Sequence, residues 1–178
     1  MQKEQILVFG EKPSDINLDF LNTKHRVIVA GKNVYPARTN YICLNNVHQI
    51  DAAIKNRPNN AIIMAPKLLY SKYVFHEFVE CLPDFKELDA YGWNSEAVSQ
   101  QLLSLGFGMW LGAEIVYLFG YNLEMQKEVE NLQAMIQLYP ATEFVYVYKT
   151  MPKFNFKELK NFSLRSYDEF RKKVIKHE

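Results

Sequence analysis

Short apolar segments recur along the chain and are separated by polar or helical stretches. They are rich in branched and aromatic residues and cover residues 6–9, 26–30, 41–44, 61–64, 114–119 and 143–148. Strands with one face in water alternate between apolar and polar residues, and these segments do not alternate strictly. The pattern therefore predicts about six strands that are covered on both faces.

Two of the intervals carry an apolar stripe with the spacing of a helix. The stripes consist of Val98, Leu102, Leu105, Met109 and Gly112, and of Met125, Val129, Leu132, Ile136 and Tyr139. Further helices are indicated by capping boxes, in which a polar residue at the helix start is followed in the first turn by Glu or Gln. Asn46 with Gln49 opens one such helix, and Ser166 with Glu169 opens the last one.

A strand followed by a helix and another strand is the order that gives right-handed parallel crossovers. The sequence therefore predicts the α/β class, as a single Rossmann-like domain with a mostly parallel sheet of about six strands and helices on both faces. We place this domain at residues 1–150, followed at residues 151–178 by a C-terminal extension with a terminal helix.

Composition and charge narrow the range of partners. The chain has 178 residues, of which 48% are hydrophobic, and its 21 basic and 20 acidic residues leave a formal charge of +1. A balanced charge offers no basic track, so we expect neither nucleic acid nor an anionic membrane as a partner. Cys43 and Cys81 lack the spacing of a zinc site or a disulfide scaffold. With no apolar leader and no uninterrupted membrane span, we expect a cytoplasmic protein.

Candidate chemistry lies in the loops after the strands, because ligands of parallel sheets bind outside the strands' carboxyl ends. Candidate ligand-binding residues there are Gly10, Lys12, Pro13, Ser14, Gly31, Lys32, Asn33, Asn45, Gly120, Tyr121 and Asn122. Glycine permits turns that other residues would strain, and lysines would suit phosphate groups. Polar loops also occur in any α/β domain, and neither G-x-G-x-x-G nor a P-loop motif is present. Whether these loops bind a phosphate-bearing ligand or no ligand at all stays open.

His48 is the one histidine placed near these loops, in the first turn of its predicted helix. It is the candidate acid or base, with an exposed histidine of no special role as the alternative. Glu11 and Asp15 are the only acids in the strand-end loops, and no metal-binding motif is present. We therefore expect no metal ion.

Two separated segments are similar to a known superfamily. Residues 6–16 resemble the opening strand and G-x-G-P-S loop of bacterial lipooligosaccharide sialyltransferases, MptE-like 6-hydroxymethylpterin diphosphokinases and motility-associated glycosylation factors. Residues 94–123 resemble that superfamily's long helix with its terminal leucine–glycine pair, followed by a strand that closes on glycine, any residue and aspartate. The order of elements is compatible with the resemblance from residue 5 to about residue 150.

The resemblance implies a nucleotide-binding α/β domain that handles a CMP-sugar or a similar donor and no other cofactor. On matching positions, Gly10, Pro13 and Ser14 would form the first phosphate or nucleotide loop. The other matches are Asn33 after the second strand, Asn45 after the third, Ser95 before the long helix, and Tyr121 with Asn122 after the fifth.

Three departures from this family bear on catalysis. Lys12 replaces the second glycine of the loop, so its side chain either obstructs a ligand or supplies a cation. Asn122 replaces the acidic residue after the fifth strand. The family's sialyltransferases carry a lid and a catalytic histidine after that strand, whereas here no histidine lies between His76 and His177.

The leading hypothesis is a glycosyltransferase-like, specifically sialyltransferase-like, protein that binds a nucleotide-activated sugar of the CMP type at the carboxyl ends of the strands. The alternative is a non-catalytic nucleotide-binding or protein-interaction module on the same scaffold. Such a module could form a homo-oligomer through exposed aromatic residues, with Tyr91, Trp93, Phe154 and Phe156 as candidates. A pterin or nucleotide pyrophosphoryl-transfer enzyme is a third hypothesis, which needs magnesium-binding carboxylates. Whether the chain is an enzyme stays open.

Overall fold

The computed structural model describes residues 4–12, 25–31, 38–57, 60–85, 98–154, 156 and 159–176. Within these ranges the chain forms eight strands. They are β1 (Gln5–Phe9), β2 (Arg26–Ala30), β3 (Tyr41–Cys43), β4 (Ile62–Ala65), β5 (Val79–Cys81), β6 (Ile115–Phe119), β7 (Glu143–Tyr148) and β8 (Phe162–Ser166).

The helices of the described ranges lie between these strands and at the end of the chain. They are α1 (Val47–Asn56), α2 (Lys67–Tyr70), α3 (Gln100–Trp110), α4 (Gln126–Leu138) and α5 (Tyr167–Lys176). None of them combines the length and apolarity that crossing a bilayer would require.

All eight strands belong to one parallel sheet, in the order β5-β4-β3-β2-β1-β6-β7-β8. The chain builds outward from β1 to β5 on one side, returns to place β6 against β1, and then builds outward to β8. The strand order therefore reverses between β1 and β6, which is where ligands of doubly wound sheets bind.

The predicted α/β class with a parallel sheet is confirmed, although the strand number was underestimated. The sheet has two edge strands, β5 and β8, beyond the predicted set. Neither contains an apolar run, since their sequences are VEC and FSLRS. Edge strands need less apolar sequence because only one neighbour and part of each face are covered.

Helices cover both faces of the sheet, as predicted. On one face α3 and α4 pack over β1, β2 and β6, and Leu103, Leu105 and Leu132 are fully buried there. On the opposite face α5 covers β6 and β7 through Phe170 and Val174. The same face carries α1, which packs on β3 and β4. This coverage explains why the central strands lack polar alternation.

Both predicted helix starts are confirmed, although Gln49 does not complete the first capping box because its side chain bonds to Gln100. Asn46 Oδ1 accepts the backbone N–H groups of His48 and Gln49 at the start of α1. At α5, Ser166 N donates to Glu169 Oε2 at 2.9 Å and Glu169 N donates to Ser166 Oγ at 3.3 Å. The second pair is a reciprocal capping box, which satisfies amides that a helix leaves unpaired.

The chain beyond residue 150 is joined to the rest of the sheet. Strand β8 pairs with β7 from Phe162 to Ser166, and α5 is the expected terminal helix. Phe154 and Phe156, expected as exposed partner-binding aromatics, instead pack in sequence between Tyr146 and Phe162, with ring centroids 4.5–5.1 Å apart. Both rings are thus half-buried in this packing rather than fully exposed, and their role in a partner surface stays a prediction. Tyr91 and Trp93 lie outside the described residues.

One glycine fixes the distance between β1 and β6. A Cβ placed on Gly10 would lie 2.6 Å from Gly120 O and 2.6 Å from Tyr121 Cα, and both of these are backbone atoms. Real Cβ atoms do not approach backbone so closely. Only glycine therefore fits where the first strand leaves the sheet beside β6.

We expect Gly10→Ala to destabilise the fold by about 1–3 kcal/mol, because the two strand ends would have to separate. Urea unfolding measures this change. Gly108→Ala in α3 is the matched control. Its Cβ would meet only side chains of β1 and β2, at 3.4 Å or more, and alanine favours the helical conformation more than glycine does. Equal stability of the Gly10→Ala variant and the natural chain would contradict this account of the strand contact.

Candidate binding site at the carboxyl edge of the sheet

The four strand ends predicted to form the site are neighbours in the sheet. The order β3-β2-β1-β6 is continuous, and all four strands run in the same direction. Phe9 pairs with Val29 and Phe119, and Ala30 pairs with Cys43, so these strands end along one edge. The loops that follow them therefore start side by side.

The centre of this edge is built from glycine backbone. Gly10 N donates to Phe119 O at 2.7 Å, and Lys12 N donates to Gly120 O at 2.9 Å. Gly31 and Gly120 have φ angles of 81° and 59°, a region that residues with a Cβ rarely occupy. Because Gly10, Gly31 and Gly120 carry no side chains, the backbone at the ends of β1, β2 and β6 is not covered by side chains of these residues.

On the β6 side, Gln101 of α3 holds the loop in place. Its Oε1 accepts Asn122 N at 2.8 Å, and its Nε2 donates to Asn122 O at 3.0 Å. Its own carbonyl oxygen accepts the Tyr121 hydroxyl at 3.0 Å. Gln101 and Tyr121 are each 2% exposed. The predicted site residues Tyr121 and Asn122 are thus used to dock their own loop on α3, since both are tied to Gln101.

On the β2 and β3 side, Gln100 plays the corresponding part. Its Nε2 donates to Asn45 Oδ1 at 3.0 Å and to Gln49 Oε1 at the start of α1. Asn45 Nδ2 in turn donates to Val98 O at 2.9 Å. A Cβ on Gly31 would lie 3.1 Å from Gln100 Oε1 and would have to adopt a φ of 81°, so glycine is favoured beside this network. Hydrogen bonds between neutral amide groups therefore link α3 on one face of the sheet to α1 on the other face.

Glu11 places a carboxylate at the start of α3. The backbone N–H groups of Gln100 and Gln101, the first two helical residues, donate to it. The N-cap residue Ser99 makes no side-chain cap. Its hydroxyl donates instead to Glu128 Oε2 at 2.9 Å, and Gln101 Nε2 donates to the same oxygen at 2.9 Å. Glu11 thus caps a helix from a distant loop.

Burial is the main reason why the pKa of Glu11 lies above the ordinary range of a glutamate. The negative charge of Glu128 on α4 raises this pKa further, whereas the two backbone hydrogen bonds lower it. The two carboxylates come from segments far apart in the chain, the loop after β1 and the first turn of α4, and sequence reasoning missed their proximity. The consecutive glutamines after Ser99 were the available signal, because buried amides need partners.

Lys12, predicted to meet a phosphate, forms an ion pair. Its Nζ lies 2.7 Å from Glu124 Oε1, and both side chains are exposed. The hydrogen bond and the charge of Lys12 hold the pKa of Glu124 below its ordinary range. Since exposed pairs of this kind contribute little and exchange readily, a ligand anion could replace Glu124 as the partner of Lys12.

The remaining predicted residues have different outcomes. His48 lies exposed in the first turn of α1, at the same edge of the sheet. Pro13, Ser14, Lys32, Asn33 and Ser95 lie outside the described residues, so their predicted roles stay predictions. Within the described part of the chain, no three His, Cys, Asp or Glu side chains are grouped to hold a metal ion.

Comparison with known proteins gives a structural match. Two solved structures of the sialyltransferase CstII from Campylobacter jejuni are similar to this chain, each at 14% identity over 80% of this chain and 79% of the other. The complex with cytidine-5'-monophosphate gives a TM-score of 0.56, and the complex with CMP-3FNeuAc gives 0.50. No protein-family model matches the sequence, and no curated protein matches it. The chain has a sialyltransferase-like fold, and identity this low shows the fold alone.

We expect Tyr121→Phe to lower the free energy of unfolding by about 1 kcal/mol, because the buried carbonyl of Gln101 loses its 3.0 Å partner. Chemical denaturation measures the loss. Tyr146→Phe is the control, since Tyr146 is also buried and its ring packs against Phe154. An equal loss of unfolding free energy in both variants would contradict a stabilising contribution from the hydrogen bond to Gln101.

The raised pKa of Glu11 predicts a pH dependence of stability. The folded chain holds the Glu11 proton more tightly than the unfolded chain, so this residue makes stability fall as pH rises through the interval above its ordinary pKa. Glu11→Gln should remove that contribution, and its stability relative to the natural chain should increase as the pH rises above about 4.5, the ordinary pKa of a glutamate. Thermal unfolding at several pH values tests this, with the exposed Glu130→Gln as the control. Parallel curves for the Glu11→Gln variant and the natural chain would contradict the expectation.

Proposed function

We propose that this chain binds a nucleotide-activated sugar, or a nucleotide of the CMP type, in the crevice between the ends of β1 and β6. The observation that carries the proposal is the reversal of strand order at this point, combined with the close packing of Gly10 on Gly120 and Tyr121. Ligands of doubly wound sheets bind at such reversals, and glycine lets a ligand approach the backbone.

The chemistry of this edge supports a ligand that carries a negative charge. Gln100, Gln101 and Asn45 hold the surrounding loops through hydrogen bonds within the chain, and Lys12 provides an exposed cation at the β6 side. Both matched sialyltransferase structures hold CMP-type ligands, which suggests cytidine nucleotides as the first class to test. Lys12 would neutralise phosphate charge, and Lys32, which follows β2 in the sequence, and Lys67, which follows β4, are further candidates for the same role.

His48 is the candidate general base of a glycosyltransferase reaction. Among the described residues it is the one histidine at the carboxyl edge, since His25 precedes β2 and His76 precedes β5 at the opposite edge. A base must reach the acceptor hydroxyl directly or through one water molecule. A transfer reaction would therefore need the acceptor to lie on the α1 side of the crevice.

A non-catalytic module is the second candidate, because the polar groups of the crevice are occupied within the chain. Glu11 takes two amides of α3, Glu124 pairs with Lys12, and Gln101 holds Asn122. Such internal contacts stabilise the edge without requiring a reaction.

Phosphoryl-transfer chemistry of the pterin pyrophosphokinase type has less support, because the carboxylates at this edge, Glu11 and Glu128, serve as hydrogen-bond acceptors for α3 and Ser99.

Calorimetric titration with CMP, CMP-sialic acid, UDP-sugars and ATP tests the proposal. We expect saturable binding of at least one cytidine ligand with a dissociation constant of about 1 mM or tighter. Lys12→Ala should weaken this binding up to about tenfold, since a charge-assisted contact to phosphate is lost. The exposed Lys127→Ala on α4 is the control and should bind as the natural chain does. No binding of any of these ligands would contradict the proposed function.

A further inference from the structure

Glu11 occupies the place where a parallel α/β fold most readily binds an anion. Helix α3 points its first amides toward the carboxyl edge, beside the crevice between β1 and β6. Such amides, together with the helix dipole, attract phosphate in many nucleotide-binding proteins. In this chain the amides of Gln100 and Gln101 already donate to a carboxylate of the same molecule.

The path of the Glu11 side chain is fixed by its neighbours. Gly10 packs against Gly120, and Lys12 N donates to Gly120 O at 2.9 Å, so the backbone on both sides of Glu11 is held on β6. Glu11 Cγ lies 4.0 Å from the position of a Cβ on Gly31, at the end of β2. The side chain therefore lies beside the end of β2, and its carboxylate meets the first amides of α3.

Glu128 adds a second negative charge beside the start of α3. Glu128 accepts hydrogen bonds from Ser99 Oγ and Gln101 Nε2, each at 2.9 Å, and so lies beside the first turn of α3. A phosphate at this point would have to displace Glu11 from two amides and remain close to Glu128. Like charges in a partly buried site repel strongly, so the arrangement disfavours an anion.

We propose that Glu11 is a specificity-determining residue that keeps phosphate away from the start of α3, so that the nucleoside part of a ligand, rather than its phosphate, lies against this helix. The ligand class rests on the function proposed above, whereas the exclusion of phosphate can be measured without it. The phosphate of a bound nucleotide would then lie on the Lys12 side of the crevice, away from Gln100.

The test compares cytidine with CMP on the natural chain, Glu11→Ala and Glu11→Gln by calorimetry. For the natural chain we expect CMP to bind at most about tenfold more tightly than cytidine, because the phosphate gains the contact with Lys12 but no helix amides. Glu11→Ala should bind CMP about tenfold more tightly than the natural chain, with cytidine unchanged. Glu11→Gln keeps the shape and a neutral acceptor, so it should show a smaller gain and serves if Glu11→Ala does not fold.

Glu130→Ala is the matched control. Glu130 is exposed on α4, where its carboxylate accepts Gln126 Nε2, and its removal takes away one negative charge without uncovering the amides of α3. A CMP gain of the same size in this variant would overturn the proposal, because net charge alone would explain it. Tight CMP binding by the natural chain, unchanged in both Glu11 variants, would also overturn it while leaving the proposed function intact.

If cytidine and CMP bind to none of the proteins, an experiment with inorganic phosphate distinguishes the role of Glu11 from the proposed nucleotide-binding function. That result would contradict the proposed function, and the exclusion by Glu11 is then decided by thermal unfolding with and without phosphate. We expect phosphate to raise the melting temperature of Glu11→Ala or Glu11→Gln more than that of the natural chain or Glu130→Ala. Equal shifts in all four proteins would overturn the inference.

Discussion

The close approach of two backbones, at the carboxyl ends of β1 and β6, is the contact on which the rest of this edge depends. Gly10 N donates to Phe119 O at 2.7 Å, and a Cβ on Gly10 would clash with the backbone of Gly120 and Tyr121. On one face the rings of Phe9 and Phe119 stack with centroids 4.7 Å apart. Tyr121 is buried in the core of the other face. Because these strands flank the reversal of strand order, their spacing sets the floor of the candidate site.

Helix α3 connects the two halves of the sheet through two consecutive glutamines. Successive helical residues point about 100° apart, so Gln100 and Gln101 face different neighbours. Gln100 reaches Asn45 after β3, and Gln101 reaches Asn122 after β6. Their backbone amides meet Glu11 from the loop after β1. One helix end thus joins three strand-end loops, and any ligand in the crevice must fit between these polar contacts or replace them.

Local sequence patterns predicted the features that depend on neighbouring residues in the chain, namely the central strands and the helix caps. The central strands were evident from their apolar runs, and the caps of α1 and α5 from residues a few positions apart. The edge strands β5 and β8 lack such runs, and pairing with a single neighbour made them strands. The proximity of Glu11 to Glu128, and of Lys12 to Glu124, depends on which strands become neighbours, which short-range patterns do not encode. The prediction that the loops after β1, β2, β3 and β6 start side by side is therefore confirmed, whereas the partners of their charged groups came only from the three-dimensional structure.

Backbone amide NMR spectra recorded during a CMP titration test most directly whether this edge is a ligand site. The account predicts that the largest shift changes fall on the amides of Gly10, Gly31 and Gly120 and on the first turn of α3. Residues at the opposite edge, such as Glu114 and Glu143, should stay unchanged. Changes confined to that opposite edge, or to the exposed Phe75 near β5, would contradict the account.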